Sequence, residues 1–193
     1  MILSLGNDMG RCSWCGSGKL MIEYHDREWG VPLHNDKKLF EFLILEGAQA
    51  GLAWQTILNR RETYRKAFDN FDLGKIAKYT QKNISSLLKD AGIIRNRLKI
   101  EAAITNAQKF LEIQKDFGSF DKYIWQFVNY KTIKNKFKSL NEIPASTKES
   151  DLMSKDLKKM GFRFVGPTIC YAFMQAVGIV NDHLTGCFRY NEV

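Results

Sequence analysis

Four residues near the two ends of the sequence have side chains that bind transition metals. Cys12 and His25 lie near the start, and His183 and Cys187 lie near the end, four residues apart. Two thiolates and two imidazoles suit Zn²⁺ in a structural site with four protein ligands. Such an ion would join the two ends of the chain and restrict the unfolded state. The sequence therefore predicts one structural zinc ion.

Other interpretations of these residues stay open from spacing alone. Cys12-x-x-Cys15 is itself a metal-like pair, so Cys12, Cys15 and His25 with one C-terminal residue form an alternative ligand set. Both histidines could instead be satisfied polar residues, with the cysteines acting as small buried hydrophobic side chains. A catalytic zinc as in base deaminases is disfavoured, because those enzymes place His-x-Glu before Cys-x-x-Cys. A site closed by four ligands also lacks the open position that hydrolysis needs.

Several aromatic residues and one carboxylate could form a pocket for a planar ligand. Trp14, Tyr24, Trp29 and Trp54 offer stacking surfaces. Glu46 falls on the apolar side of a predicted helix, where a carboxylate is rare unless it is paired or functional. Core packing of the aromatic rings is the alternative, with Glu46 in a buried ion pair or at a solvated helix end.

The stretch from Lys89 to Lys99 is typical of a helix-hairpin-helix. Gly92 lies between two amphipathic segments, and Arg95 and Arg97 add positive charge. Backbone N–H groups of such a hairpin, together with the N-terminus of the next helix, bind DNA phosphates. An ordinary tight turn with solvated basic residues is the alternative interpretation.

The hydrophobic periodicity predicts an all-α fold. We expect the first 35 residues to be irregular, a capping box at Ser146 and Glu149 to open a helix that ends before Gly161, and a basic linking loop from Lys131 to Pro144. No strand is predicted. The other predicted helices are one that begins at Asp36, with Asp36 as its cap, and those over Trp54 to Phe68, Thr80 to Lys89, Arg95 to about Gln114, Ser119 to Val128 and Pro167 to Gly178.

Composition narrows the class of protein. The 193 residues, 45% of them hydrophobic, suit one globular domain. A formal net charge of +8 favours a polyanionic partner, with nucleic acid ahead of a membrane surface. No apolar stretch is long enough to span a bilayer, and Asp8 and Gly10 interrupt the start too early for a signal peptide. We therefore expect a cytoplasmic protein whose cysteines are thiols or metal ligands.

Taken together in order, these motifs resemble the 3-methyladenine DNA glycosylase I family of the helix-hairpin-helix glycosylase superfamily. The resemblance covers almost the whole chain. It rests on Arg11 to Trp14, Glu23 to Pro32, Leu45 to Trp54, Asp90 to Arg95, Gly161 to Gly166, Thr168 to Tyr171 and Asn181 to His183. It implies a single glycosylase domain over residues 1–193, with two helical lobes and with the chain ends joined by zinc.

The resemblance also implies roles for individual residues. Cys12, His25, His183 and Cys187 match the zinc ligands of the family, and Cys15 falls outside that set. Glu46 matches a base-recognising glutamate, Tyr24 and Trp54 match pocket aromatics, and Trp14 and Trp29 match tryptophans near the pocket. We predict that Glu46 and Tyr24 are the catalytic residues, with selection of the base as the alternative role of Glu46. Met21 stands where the family commonly has a second pocket tyrosine. Gly51 and Leu52 match a loop that fills the vacated place in the duplex, and Gly92, Ile94 and Arg95 match the DNA-binding hairpin.

The expected activity is the hydrolytic release of 3-methyladenine from alkylated double-stranded DNA, which leaves an abasic site. The base is turned out of the duplex into the pocket, and its positive charge weakens the bond to the sugar, so no general acid is required. The family lacks the aspartate that related enzymes use at the usual place. We expect a monomer with no cofactor besides zinc. The rival interpretation is a zinc-containing helical module that grips DNA and cuts nothing.

Overall fold

A computed structural model describes residues 10–193 and contains mostly helices. The predicted absence of a signal peptide rests largely on residues 1–9, which lie outside the described part. Among the described residues the helices are α1 (Lys19–Arg27), α2 (Asp36–Gln49), α3 (Trp54–Leu58), α4 (Arg61–Ala67), α5 (Leu73–Ile76), α6 (Gln81–Leu87), α7 (Arg97–Phe117), α8 (Phe120–Trp125), α9 (Lys148–Lys159) and α10 (Pro167–Ala176). Short 3-10 turns lie at Ser13–Cys15, Asp69–Phe71, Gln126–Val128, Leu140–Glu142 and Phe188–Asn191. The prediction of an all-α fold is confirmed to the extent that helices dominate the described residues.

Helix α2 lies at the centre of the molecule. It is buried continuously from Leu39 to Ala48, and it packs against α3, α7, α8 and α10. A helix that is apolar on all sides must be covered on all sides. Glu46 is therefore carried into the protein interior by the helix with the most complete burial.

The prediction that the chain has no strand is wrong, because two strands of two residues each pair with one another. β1 (Ile133–Lys134) pairs in parallel with β2 (Val180–Asn181), with Ile133 opposite Val180 and Lys134 opposite Asn181. Segments this short carry no readable period of two, so sequence pattern could not reveal them. The pair holds the predicted linking loop of residues 131–144 against the C-terminal segment.

The prediction of an irregular N-terminal segment is wrong, because α1 occupies Lys19–Arg27. Its buried residues are Met21, Tyr24 and His25. Two of these three are polar or amphipathic, so apolar residues alone do not mark the buried face of this short helix. The sequence analysis missed this helix because only one of its three buried side chains is purely apolar.

Two helix boundaries also differ from the prediction. The segment from Trp54 to Phe68 is not one helix, since it breaks between α3 and α4, where Arg60 leaves the helical region with φ −103° and ψ 0°. Thr147, not Ser146, caps α9, in a capping box with Ser150. Both errors concern boundaries, which depend on local hydrogen bonds that the apolar period does not encode.

The cap of α2 lies one residue before the predicted Asp36. Asn35 is the cap and accepts a hydrogen bond from the Lys38 backbone N–H at 3.0 Å. Asp36 instead accepts the backbone N–H groups of Phe120 and Asp121, each at 2.9 Å. Its carboxylate thus satisfies unpaired donors at the start of α8 and ties α2 to that helix.

The other helices lie close to where they were predicted. Thr80 caps α6, and α7 runs to a glycine in the left-handed region, Gly118, with φ 85°. Pro167 opens α10. From residue 10 to the end, no helix combines the length and the apolar character that crossing a bilayer requires.

Candidate functional site

The four predicted metal ligands come together. Cys12, His25, His183 and Cys187 are all buried, and their ligand atoms lie within 4.8 Å of one another. Cys187 Sγ is 3.4 Å from His25 Nε2 and 3.6 Å from His183 Nδ1, while Cys12 Sγ is 3.7 Å from His183 Nδ1. Cys15 lies outside this cluster, and its thiol is directed at the Gly16 carbonyl oxygen. The arrangement could hold one metal ion with four protein ligands.

Each histidine of the cluster is oriented by a second partner. His25 Nδ1 lies 2.7 Å from Asp26 Oδ1, and the guanidinium of Arg11 binds the same carboxylate. His183 Nε2 lies 3.0 Å from the backbone oxygen of Trp29. Such outer partners fix the tautomer, so His25 Nε2 and His183 Nδ1 are left to face the centre of the cluster. Asp26 was not identified from the sequence.

Burial also sets the protonation of the cluster in the absence of an ion. It raises the pKa of the Cys12 thiol to about 12 and lowers the pKa of His183 to about 4. A neutral imidazole is the form that binds a metal, and a bound cation displaces the thiol proton. The donor set is therefore chemically fit for a thiolate-binding cation.

A cavity of about 190 Å³ lies beside the metal cluster. Its walls come from α1, α2, α3 and α10 and from the turn before α1. The lining residues are Trp14, Tyr24, Trp29, Glu46, Gln49, Trp54, Ile143, Ala172 and Gln175. All five predicted pocket residues are among them, so the structure brings together what the sequence analysis had proposed separately.

Glu46 is the unusual member of this cavity. It is 3% exposed, and its Oε2 is buried with no hydrogen-bond partner among residues 10–193. Burial raises its pKa to about 8. The ion pair that was the alternative interpretation is absent from the described residues, and the residue is far from solvated. An unpaired buried carboxyl group is costly, so it marks a place where a ligand supplies the missing partner.

The aromatic rings enclose this carboxyl group. The ring centroids of Tyr24 and Trp54 are 5.2 Å apart, and those of Trp14 and Trp29 are 4.8 Å apart in an edge-on arrangement. The indole N–H groups of Trp14 and Trp54 are buried and have no acceptor in the described chain. The cavity thus offers π-faces and unpaired polar atoms together, which is what recognition of a heteroaromatic base requires.

Comparisons with known proteins agree with this geometry. The family model described as methyladenine glycosylase matches residues 14–190. DNA-3-methyladenine glycosylase 1 of Escherichia coli is 50% identical over 182 residues, which are 94% of this chain and 97% of that protein. The chain belongs to the methyladenine glycosylase family. A DNA-3-methyladenine glycosylase of Haemophilus influenzae is 49% identical over 92% of this chain and 96% of its own.

Solved structures of methyladenine glycosylases have the same fold. A crystal structure of 3-methyladenine DNA glycosylase I superposes with a TM-score of 0.91 at 50% identity, covering 92% of this chain and 98% of the other. The Staphylococcus aureus enzyme, in a structure concerned with 3-methyladenine recognition, gives 0.90 at 36% identity over 93% and 96%. A variant of such an enzyme in complex with 3-methyladenine also gives 0.90 at 36% identity, covering 93% of this chain and 97% of the other.

In this member of the methyladenine glycosylase family, a turn over residues 88–96 joins α6 to α7. The Gly92 N–H donates to Asp90 Oδ1 at 2.7 Å, and the Ile94 N–H donates to the Tyr64 hydroxyl at 3.1 Å. Arg95 is exposed. The backbone donors of Gly92 and Ile94 are therefore used within the protein. Of the three DNA-binding residues predicted in this turn, only Arg95 keeps a free backbone N–H among the described residues.

The predicted wedge residues lie on the loop between α2 and α3. Leu52 is 39% exposed, and Gly51 adopts φ 78°, which a side chain rarely allows. Lys99, near the start of α7, donates through Nζ to the backbone oxygens of Ala48 and Ala50 at 2.8 and 2.7 Å. This lysine links α7 to the loop between α2 and α3, a connection that sequence reasoning did not find.

Sequence reasoning also missed residues that surround the pocket. Gln49, Ile143, Ala172 and Gln175 line the cavity, but they occur in apolar or irregular stretches and carry no pattern of their own. Sequence reasoning also did not identify Arg61, which packs near Tyr24. Arg61 is buried and donates to Glu41 at 2.5 Å and to Glu28 at 2.6 Å.

Arg61 also supports the aromatic wall. Its Cζ lies 4.8 Å above the ring of Phe42, which is 6.4 Å from the ring of Tyr24. A desolvated cation over a ring face is attracted to it. The paired guanidinium of Arg61 thus packs on Phe42, which in turn lies beside the Tyr24 ring of the cavity.

Proposed function

We propose that this protein is a DNA repair N-glycosylase that hydrolytically releases 3-methyladenine from alkylated double-stranded DNA and leaves an abasic site. One observation carries the proposal: a buried carboxyl group without a partner, Glu46, inside an aromatic cavity. Relatives at 50% and 49% identity over most of the chain bear the name of this activity.

The proposed base-binding set is Tyr24, Glu46 and Trp54, with Trp14 and Trp29 beside them. A base methylated at N3 is cationic in DNA, and ring faces and a carboxylate both favour a cation, each by about 1 kcal/mol or more when desolvated. Burial raises the pKa of Glu46 to about 8, so the empty pocket holds a proton there at neutral pH. A cation entering the pocket favours loss of that proton and pairs with the carboxylate.

The bond to the sugar breaks without help from a general acid, because the leaving base is already charged. Water then attacks the sugar carbon. Glu46 and Tyr24 would act here mainly by holding the extruded base, since interactions that persist as the bond breaks lower the barrier. Closing the aromatic cavity around the base excludes water from its edge and strengthens each polar contact.

The proposed DNA surface joins two elements that Lys99 connects. Leu52 on the α2–α3 loop would fill the place that the base leaves, with Gly51 providing the turn. The helix-hairpin-helix, with Gly92, Ile94 and Arg95, would hold the phosphate backbone. Since the N–H groups of Gly92 and Ile94 are engaged internally, the phosphate donors we propose are the backbone N–H of Arg95 and the N-terminus of α7.

Zinc is the ion we propose for the buried cluster. With Zn–S of about 2.3 Å and Zn–N of about 2.1 Å at tetrahedral angles, sulfur and nitrogen ligands lie about 3.6 Å apart. Three of the four S···N separations, at 3.4, 3.6 and 3.7 Å, fit this geometry. Bound zinc would supply a structural cross-link between Cys12, His25, His183 and Cys187, with no open position for catalysis.

The wider proposal is one glycosylase domain over residues 1–193, built as two helical lobes. We propose that it works as a monomer in the cytoplasm, away from membranes, with four cysteines that form no disulfide. A reducing compartment keeps such thiols available for a metal.

The proposal is tested by incubating purified protein with methylated duplex DNA and identifying the released bases by chromatography. We expect free 3-methyladenine from the wild type and at least a tenfold slower release from Glu46→Gln, which removes the charge and keeps the shape. Glu23→Gln, an exposed glutamate on α1, is the matched control. A folded, metal-loaded wild type that binds DNA and releases no base would instead be the DNA-binding module that cuts nothing.

A further inference from the structure

Gln175, near the end of α10, is a polar residue of the cavity that the proposed mechanism does not use. It lines the cavity together with Glu46 and the aromatic rings. Its side-chain Nε2 donates to Asp182 Oδ2 at 2.8 Å. The two polar atoms of an amide differ in what they can bind, so the direction of this side chain decides what it offers to a ligand.

Asp182 fixes that direction. It is 1% exposed, and it also accepts from the Tyr171 hydroxyl at 2.6 Å and from Asn135 Nδ2 at 2.7 Å. Burial raises the pKa of Tyr171, so its hydroxyl keeps its proton and donates. If Gln175 were turned over, its carbonyl oxygen would lie against a carboxylate oxygen that already acts as an acceptor, which is repulsive.

The side-chain carbonyl oxygen of Gln175, Oε1, is therefore the atom left for a ligand. It accepts no hydrogen bond from any residue between 10 and 193 for which contacts are described. A buried carboxylate on the amide N–H₂ polarises the amide and makes its oxygen a stronger acceptor. Gln175 lines the cavity with its amide N–H₂ held by Asp182, so its side-chain oxygen is the polar atom that it can offer to a ligand.

We propose that Gln175 accepts a hydrogen bond from the exocyclic amino group of the bound base and so selects 6-amino purines over 6-oxo purines. This inference rests on the proposed function. An adenine attached through N9 and methylated at N3 has its only N–H donors on that amino group. A 6-oxo purine places a second acceptor there, and two facing acceptors repel.

Asp182 is then a positioning residue, since it acts on the base only through Gln175. Its loss would free the amide to rotate and present N–H₂ to the cavity. A 6-oxo base would then find a donor where the native protein has an acceptor. Selectivity should fall in an Asp182 variant even though Gln175 itself is unchanged.

The test measures binding of two free bases, 3-methyladenine and its 6-oxo analogue 3-methylhypoxanthine, by quenching of tryptophan fluorescence. We expect the wild type to prefer 3-methyladenine. Gln175→Met should weaken 3-methyladenine about tenfold, in the range of one lost hydrogen bond to a well-placed partner. It should leave the analogue bound at least as tightly as in the wild type, because the variant no longer places an acceptor against the 6-oxo group. Gln108→Met is the matched control, because Gln108 lies on α7 and donates to the Ala77 oxygen away from the cavity.

Asp182→Asn keeps the inference open to test if Gln175→Met does not fold. Asp182→Asn should lower the preference for 3-methyladenine over 3-methylhypoxanthine. Thermal unfolding establishes that each variant tested is folded. An unchanged ratio in both folded variants would overturn the role of Gln175 and leave the proposed function standing. A metal-loaded wild type that binds neither base would overturn the proposed function and this inference with it.

Discussion

Glu46→Gln should make this protein more stable while removing its base recognition. The carboxyl group is 3% exposed and has a buried oxygen without a partner, and burial raises its pKa from 4.5 to about 8. Glutamine has nearly the shape of the protonated acid and never ionises. The substitution therefore removes the cost of a titratable group held where its charged form is disfavoured.

The sign and size of the stability difference between Glu46→Gln and the wild type follow from proton linkage. Between pH 4.5 and 8 the unfolded chain has lost the Glu46 proton and the folded chain has kept it, so the unfolding free energy contributed by this group falls as pH rises. The slope is about 1.4 kcal/mol per pH unit, which gives about 3 kcal/mol at pH 7 and about 5 kcal/mol once the folded group also ionises. Below pH 4.5 the wild type and the variant should be equally stable.

The assay is urea unfolding of both proteins at pH 5, 6, 7 and 8 with the same metal content. The difference between variant and wild type is the quantity to follow, because other titrating groups cancel in it. Glu23→Gln is the control, since Glu23 is exposed and should give a difference of a few tenths of a kcal/mol that does not depend on pH. A difference for Glu46→Gln that stayed flat from pH 5 to 8 would refute the claim that burial keeps this group protonated.

Three further substitutions probe the other parts of the site. Cys187→Ala should abolish metal binding and lower Tm by roughly 10 °C, since it opens a cross-link that closes most of the chain; mass-spectrometric metal content and thermal unfolding check this, with Cys15→Ala expected to retain the ion. Gly92→Ala should weaken DNA binding about tenfold without changing affinity for free 3-methyladenine, because a Cβ there would lie 2.9 Å from a neighbouring side chain; equal DNA affinity in a titration would contradict the hairpin assignment. Arg61→Met leaves the buried carboxylate of Glu41 with fewer partners and should cost roughly 3 kcal/mol in denaturant unfolding; a loss below 0.5 kcal/mol would mean that the pair is not needed.

The sequence could reveal residues whose type conflicts with their surroundings. Glu46 was found because a carboxylate on the buried side of α2 breaks the apolar pattern. The metal ligands were found by residue type, but spacing left Cys15 as an alternative to the set that the structure assembles. Only the fold decides which thiols meet, because the two pairs lie at opposite ends of the chain.

Other features carry no such conflict and were out of reach. Gln175 is one polar residue in an apolar helix, and its importance arises from Asp182, a partner on a different element. α1 escaped prediction because Tyr24 and His25, which lie on its buried face, are not purely apolar. The strands β1 and β2 exist only as a pair, so neither has a signal alone. In each case the deciding interaction is tertiary, and local pattern does not contain it.

The metal cluster and the base cavity are built from the same short stretches of chain. Tyr24 precedes His25 on α1, so the ring that lines the cavity and the imidazole that faces the cluster share one backbone. The backbone oxygen of Trp29 lies 3.0 Å from His183 Nε2, and the ring of Trp29 stands 4.8 Å from that of Trp14. An ion held by the cluster would therefore fix two walls of the cavity at once. A rigid lining favours selectivity for one methylated base over the many normal ones, because a mobile lining could adjust its shape to fit any base.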